Sequence, residues 1–315
     1  MPLYLTEEHV DSLLTMEDAI ESVEQGFMAM SRGEASNLPR QRLQLPRGTF
    51  NMMSAAAPAL GVMGLKAYTT GRGYAGFHIQ ISNTANGELL AIIEGAKLGQ
   101  LRTGAASGVA TKYMARDDAS SVGIIGTGEQ AISQLESVCN VRSISTINVF
   151  SRTVERRERF ASLMSSRLGM AVSAVKDPQL CVSGCDIVIA VTTSANPVFD
   201  GSWIDKGTHI NAVGSNASWR RELDEETIRR SDFVVVDDIQ QAGTECGDIL
   251  YAIEQGVIRW EQIRTLSEVV GGTIKGRASM SDITLFESQG IALEDIALGI
   301  RAFQIARKRE IGTEF

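Results

Sequence analysis

Apolar positions recur with two different periods along the chain, and the texture changes twice. Over residues 6–31, Val10, Leu13, Leu14, Ile20, Val23, Phe27 and Met30 follow a helical recurrence. It is interrupted at Thr15-Met16-Glu17-Asp18, which has the form of a fresh helix cap, so two short helices are predicted. From 43 to 95 the pattern breaks into short apolar runs at 50–53, 62–70, 77–82 and 89–94. Asn86-Gly87, between the last two, favours a tight hairpin turn because both residues tolerate positive φ. That half reads as a mostly antiparallel sheet. Residues 96–115 are rich in Ala, Leu and Gly with a helical period, a plausible link between the two halves of the molecule. Beyond it, β-branched runs at 120–125, 146–150, 171–175, 187–192, 209–213 and 233–237 are mostly separated by segments that suit helices. Such alternation predicts parallel strands with crossovers, so the fold class is α/β. The sequence shows neither a fixed-period repeat nor a low-complexity stretch.

Composition narrows the function classes. With 315 residues, 43% apolar and 22% charged, the chain can bury one large core or two moderate ones. Its 38 acidic against 30 basic residues give a net charge of -8 without a clustered Lys/Arg face, which argues against a nucleic-acid partner. Cys139, Cys181, Cys185 and Cys246 form no CxxC pair, and His9, His78 and His209 lie far apart, so no metal is expected. Cys181 and Cys185, spaced i,i+4, read as buried small hydrophobes. The acidic group of Asp237, Asp238, Glu245 and Asp248 matches no calcium loop and is expected to be solvated or to cap helices. The longest bland apolar stretch, 54–65, carries Pro58 and two glycines and falls short of the roughly 18 to 20 residues of a membrane span. The N-terminus has neither the basic start nor the apolar core of a signal peptide, so a cytoplasmic location is expected.

The strongest chemical signal is Val122-Gly123-Ile124-Ile125-Gly126-Thr127-Gly128-Glu129-Gln130-Ala131, a buried-strand run followed by G-x-G-x-x-A and a helix-like segment. Gly126 permits the sharp turn, Gly128 lets backbone N–H groups approach a pyrophosphate, and the helix N-terminus adds partial positive charge. Strand, helix and the later β/α series agree, so a dinucleotide is the expected cofactor. The second strand of that series ends in Ser151-Arg152-Thr153, where an NAD-specific site usually carries a carboxylate for the ribose hydroxyls. A guanidinium with two hydroxyls suits a 2′-phosphate, so NADP(H) is expected over NAD(H).

In the first half, Arg42, Lys66 and Arg102 stand out. Lys66 lies inside an apolar strand and Arg102 inside an Ala-rich helix, where an unpaired charge is costly. Together they suggest a cationic pocket for a carboxylate, which arginine matches with two parallel hydrogen bonds. Arg72, beside a glycine pair, is a candidate for a second carboxylate, with His78 as a nearby polar contact.

Through these residues the chain resembles the ornithine cyclodeaminase and μ-crystallin family. The resemblance runs through Gly64-Leu65-Lys66, Leu101-Arg102-Thr103-Gly104-Ala105-Ala106, the glycine loop, Asn211-Ala212-Val213-Gly214, Arg221-Glu222-Leu223, Cys246-Gly247-Asp248-Ile249 and the segment 282–290, in order over nearly the whole chain. It implies a Rossmann domain at 119–291 and an α+β substrate and dimerisation domain made of 1–118 with 292–315, the active site in the cleft between them. It also implies a homodimer. Arg42, Lys66 and Arg102 would bind the substrate carboxylate and organise the reacting nitrogen, and Arg220 matches a basic position near the substrate. Arg102, Gly126, Thr127, Gly128, Glu129, Gln130, Ser151, Arg152, Thr153, Thr192, Val213 and Ser288 would line the dinucleotide. One departure matters: cyclodeaminases and the alanine dehydrogenases of the family carry an Asp shortly after the Asn-Ala-Val-Gly strand, and here that position is Asn216. An amide orients a substrate or water but is no general base near neutral pH, which argues against ornithine cyclisation. The expected reaction is therefore NAD(P)H-dependent reduction of an imine next to a carboxylate, such as iminosuccinate, with Lys66 as proton donor. A redox-neutral cyclodeaminase and a non-catalytic μ-crystallin-like binding protein are the alternatives.

Overall fold

The computed structural model describes residues 1–71 and 76–315. Arg72, the candidate for a second carboxylate, lies outside the described residues. In chain order the elements begin with β1 (Leu3–Leu5), α1 (Glu7–Leu13), α2 (Met16–Ser31), β2 (Ser36–Leu45), β3 (Gly48–Ala57), β4 (Val62–Gly71), β5 (Gly76–Asn83), β6 (Leu89–Glu94) and α3 (Ala96–Met114). An alternating series comes next: β7 (Ser121–Ile125), α4 (Glu129–Val141), β8 (Thr146–Phe150), α5 (Val154–Leu168), β9 (Val172–Ala174), α6 (Pro178–Val182), β10 (Ile187–Ala190) and β11 (His209–Ala212). The series continues with α7 (Glu225–Arg230), β12 (Phe233–Val236), α8 (Ile239–Glu245), α9 (Gly247–Glu254), β13 (Ile263–Thr265), α10 (Leu266–Val270) and β14 (Thr284–Glu287). The chain closes with α11 (Ala292–Arg309) and β15 (Thr313–Glu314). It forms two compact units, Met1–Ala106 with Gly290–Phe315, and Ser107–Gln289. The division falls inside α3, which runs unbroken from Ala96 to Met114.

The first unit holds a sheet of order β15-β1-β6-β5-β4-β3-β2 in which β2 to β6 pair antiparallel. Strand alternation is visible in burial: Met53, Ala55, Ala57, Val62, Ile79, Ile81 and Ile93 face inward. Leu38, Met52 and Leu65 lie on the opposite face and are exposed. Thr6 and Thr15 cap α1 and α2 through reciprocal capping boxes, which separates the two helices where the sequence predicts it. Two expectations are corrected here. Strand β2 starts at Ser36, ahead of the apolar run, because antiparallel pairing with β3 and not hydrophobicity sustains it. The Asn86-Gly87 turn is longer than a two-residue hairpin: Asn83 N–H bonds to Glu88 O at 2.9 Å and only Gly87 takes positive φ.

The second unit is a doubly wound sheet of order β13-β12-β14-β11-β10-β7-β8-β9, all parallel, the Rossmann arrangement. Val122, Ile124, Ile147, Val149, Ile187, Val188, Ile189, Ile210, Val234, Val235 and Leu285 bury on both faces, as continuous β-branched runs require. Strands β13 and β14 lie outside the predicted runs; at three and four residues they are too short to give a periodic signal.

Candidate active site

In the first unit, ladder pairing sets Met53, Lys66 and Ile79 side by side on the inner face, next to the row Arg42, Asn51, Tyr68 and Phe77. Lys66 is 4% exposed and Arg102 is 7% exposed. Neither stands alone. Lys66 Nζ donates to Asp295 Oδ1 at 2.8 Å, and the same oxygen accepts from Arg102 Nε at 3.1 Å. Arg102 also donates from Nη1 to Glu294 Oε2 at 2.7 Å. Both carboxylates sit in the first turn of α11, where the helix dipole favours negative charge. Gly290, with φ of 73°, lies just before that helix, and a Cβ there would stand 2.3 Å from Arg102 Nη1. Glycine is what allows the guanidinium to reach the helix start.

Burial pushes the Lys66 ammonium down to about 8, with Asp295 opposing the fall and Arg102 and Arg40 adding to it. Burial also works against the Arg102 charge, but Asp295 and Glu294 outweigh it and hold its pKa above the ordinary value. Tyr68 and Phe77 stack at 5.3 Å between centroids, and Lys66 Nζ lies 5.7 Å from the Tyr68 ring and 5.9 Å from Phe77. The cluster is thus a buried ammonium with guanidinium neighbours beside an aromatic wall, balanced by acids from behind.

Strand β2 carries a register shift between Leu38 and Gln41. It turns Arg40 inward, where Nε approaches Met53 Sδ at 3.3 Å and Nη2 donates to Gly290 O at 3.0 Å. Arg42 is exposed in the row beside Lys66. Arg40 is therefore the buried arginine of the Arg40-Gln41-Arg42 run, a residue that sequence reasoning did not single out. His78 is also corrected: it pairs with Ala67, and alternation places it on the face opposite Lys66.

In the second unit the candidates gather at the carboxyl ends of adjacent parallel strands. Gly126 follows β7 with φ of 120°, and a Cβ there would stand 2.2 Å from Val191 O at the end of β10. Gly128 is the N-cap of the 13-residue α4, makes no side-chain cap bond, and has open space where a Cβ would be. This helix start fits a pyrophosphate: exposed N–H groups, no competing cap and room for close approach. Glu129 and Gln130 open that helix, and both are exposed. Ser151, Arg152 and Thr153 follow β8, with Arg152 exposed and Ser151 Oγ donating to Thr153 O at 3.1 Å. Thr192, Val213 and Ser288 follow β10, β11 and β14. Asn216 is exposed, and Arg220 stacks on the Trp219 ring at 4.5 Å, both in the segment after β11.

The acidic group departs from expectation. Asp238 does cap α8, but Asp237, Glu245 and Asp248 are buried, joined by Glu222 and Glu287. Asp237 Oδ2 accepts from Gln289 N at 2.8 Å and Asp248 Oδ1 from Leu223 N at 2.7 Å, while Glu287 Oε2 accepts from Cys246 Sγ at 3.6 Å. Burial raises Glu222 to about 7 and pushes Glu287 well above the carboxylate range, with neighbouring acids adding to both; burial also raises Asp248 to about 6 against its backbone hydrogen bonds and Arg221. Among the described residues, no group of three or more His, Cys, Asp or Glu could hold a metal ion, and no helix is long and apolar enough to cross a membrane.

A family model described as the ornithine cyclodeaminase/mu-crystallin family matches residues 2–306. The chain belongs to this family. Within it, an alanine dehydrogenase of Archaeoglobus fulgidus is 33% identical over 320 residues, covering 99% of this chain and 97% of that protein. The structure of Thermococcus litoralis Delta(1)-pyrroline-2-carboxylate reductase in complex with NADH and L-proline superposes with a TM-score of 0.95 at 36% identity, covering 99% of this chain and all of the other. The iminosuccinate reductase of Paracoccus denitrificans in complex with NAD+ gives a TM-score of 0.94 at 26% identity, covering 99% and 98%. In this member of the ornithine cyclodeaminase/mu-crystallin family, Arg40, Glu222, Glu294 and Asp295 are what sequence reasoning missed. Acids in a first helical turn read as ordinary dipole partners, and an arginine ahead of an apolar run reads as solvated.

Proposed function

We propose that this protein reduces a C=N bond adjacent to a carboxylate to give an amino acid, the Arg40–Lys66–Arg102 cluster handling the substrate and the glycine-loop edge holding the dinucleotide. The chain is an NAD(P)-dependent oxidoreductase acting on C=N and CH–NH bonds. The observation that carries the reading is Lys66 itself: a buried ammonium brought down to about 8 gives up a proton near neutral pH far more readily than an ordinary lysine. Lys66 Nζ donates that proton to the imine nitrogen, making the carbon the electrophile of an iminium. Arg102 and Arg42 clamp the carboxylate, Arg40 adds positive charge behind them, and Asn216 and Arg220 contact the substrate. When bound, the reduced nicotinamide supplies the hydride that the carbon accepts. Asn216 offers no general base, which weighs against ornithine cyclisation.

The stacked Tyr68 and Phe77 beside Lys66 suit a saturated ring better than a second carboxylate. The substrate class we favour is therefore a cyclic imine such as Δ1-pyrroline-2-carboxylate, ahead of iminosuccinate. NADP(H) is the favoured cofactor, because β8 ends without a carboxylate and Arg152 is exposed there. The relatives described with NADH and NAD+ make the choice of cofactor a direct experiment. The exposed Leu38, Leu43, Met52 and Leu65 on β2 to β4 support a homodimer.

The test monitors loss of reduced-cofactor absorbance with Δ1-pyrroline-2-carboxylate, Δ1-piperideine-2-carboxylate, and oxaloacetate or pyruvate with ammonia, each with NADH and NADPH. Turnover of a cyclic imine, faster with NADPH, is expected. Ammonia release from ornithine without net redox change would favour the cyclodeaminase, and tight ligand binding without any turnover would favour the binding protein.

A further inference from the structure

We infer that Glu222 is a positioning residue: through its carboxylate it ties together the ends of β10 and β11 and closes the neck of the segment carrying Asn216 and Arg220. The inference rests on the reading of that edge as the dinucleotide site. Glu222 is 1% exposed and every polar group it owns is engaged. Oε1 accepts from Thr192 N at 2.5 Å and Oε2 from Gly214 N at 2.6 Å, one donor from each strand end. Its own N–H donates to Asp248 Oδ1 at 2.9 Å in the first turn of α9, and its carbonyl accepts from Val198 N at 2.8 Å. The space at Gly214 is reserved for this arrangement, since a Cβ there would stand 2.2 Å from Thr192 O and 2.5 Å from Glu222 Oε2.

Two backbone donors on two different strands need two acceptor oxygens. A neutral amide of the same size offers one, and its NH2 group faces the other N–H. A protonated carboxyl loses an acceptor in the same way. The groups facing Glu222 are Thr192, Asp248 and Glu287, with Arg221 next to Asp248, stacked on Tyr251 at 3.5 Å and paired with Glu225 at 3.4 Å. Burial first, and Asp248 with it, raise Glu222 to about 7 against the hydrogen bonds from Thr192 and Gly214. Acidification through that range therefore releases one strand end, and dinucleotide binding weakens with it.

The experiment is titration of the full chain with NADH and NADPH, by nucleotide fluorescence, between about pH 6 and about pH 8.5. Wild-type affinity is expected to fall as pH drops through about 7. E222Q is expected to bind roughly tenfold more weakly at the upper end, with the pH dependence gone. Asp248→Asn supplies the second variant: the amide oxygen still accepts from Glu222 N and Leu223 N, but the like charge is removed, so the midpoint moves to lower pH. E222Q binding with wild-type affinity and pH slope, or an unmoved midpoint in D248N, overturns the assignment of Glu222. Absence of binding by the wild type at every pH overturns the dinucleotide reading instead.

Discussion

Two buried charge clusters, one in each unit, solve the same physical problem in opposite ways. In the first, Lys66 and Arg102 are set against Asp295 and Glu294, so removal from water is offset by opposite charge at 2.7 to 3.1 Å. In the second, Glu222 and Asp248 rely on backbone N–H groups and Glu287 on the Cys246 thiol, with like charges close by. Arg102 ends with its charge reinforced, while Lys66 stays charged near pH 7 but, with its pKa brought down to about 8, gives up its proton more readily. The acids instead end with their charge weakened, and Glu222 braces two strand ends. Burial alone does not decide a group's role; the sign of its neighbours does.

The sharpest way to break this contrast is Lys66→Met. It leaves Asp295 paired with Arg102, so the fold should persist, while turnover should fall by about 10² to 10⁴; kcat and a circular-dichroism melt check both. Asp295→Asn removes the shared acceptor. Breaking such a buried pair should cost about 3 to 5 kcal/mol in denaturant unfolding. Because Asp295 holds Lys66 up, its loss should also move the alkaline limb of kcat/KM about one to two pH units lower. Gly128→Ala probes a position outside both clusters. With open space around the new Cβ, stability should change by no more than about 1 kcal/mol, whereas dinucleotide affinity should drop about tenfold if a pyrophosphate lies against that helix start.

Glu287→Gln is the smallest expected change and the one that sharpens the acidic side. Glu222 and Asp248 have folded values near 7 and 6, above their unfolded ones, so their contribution to stability is present in acid and lost as pH rises through that window. Replacing Glu287 removes a buried acid that the fold holds above the carboxylate range while the unfolded chain ionises it freely. The variant should be more stable by about 1 to 2 kcal/mol at about pH 8, with little change at about pH 5, in urea unfolding measured at both. A loss of stability at the higher pH would show that burial of the Glu287 acid is not a strain on the cluster.

Much of the molecule was legible because its signals are local. The glycine loop, the β-branched runs and the change of period at 96–115 each arise from the preferences of neighbouring residues. Lys66 and Arg102 were visible as charges inside apolar patterns. Their partners were not, since the acids of Leu293-Glu294-Asp295 acquire meaning only when α11 packs against β3 and β4. Arg40 was hidden by the register shift in β2, which reverses the face that counting by two would give it. His78, expected as a polar contact beside Arg72, shows the complementary point: the antiparallel register pairs it with Ala67 and puts it on the face opposite Lys66. Asp237 and Asp248 looked like surface acids because backbone partners of theirs come from distant segments.

The pH profile of kcat/KM for Δ1-pyrroline-2-carboxylate reduction tests the whole account most directly. If Lys66 gives the proton, the rate is high while the ammonium is charged and falls as pH rises past about 8, and the limb is absent from the residual activity of the Lys66→Met enzyme. A limb that survives unchanged in that variant would place the proton donor elsewhere.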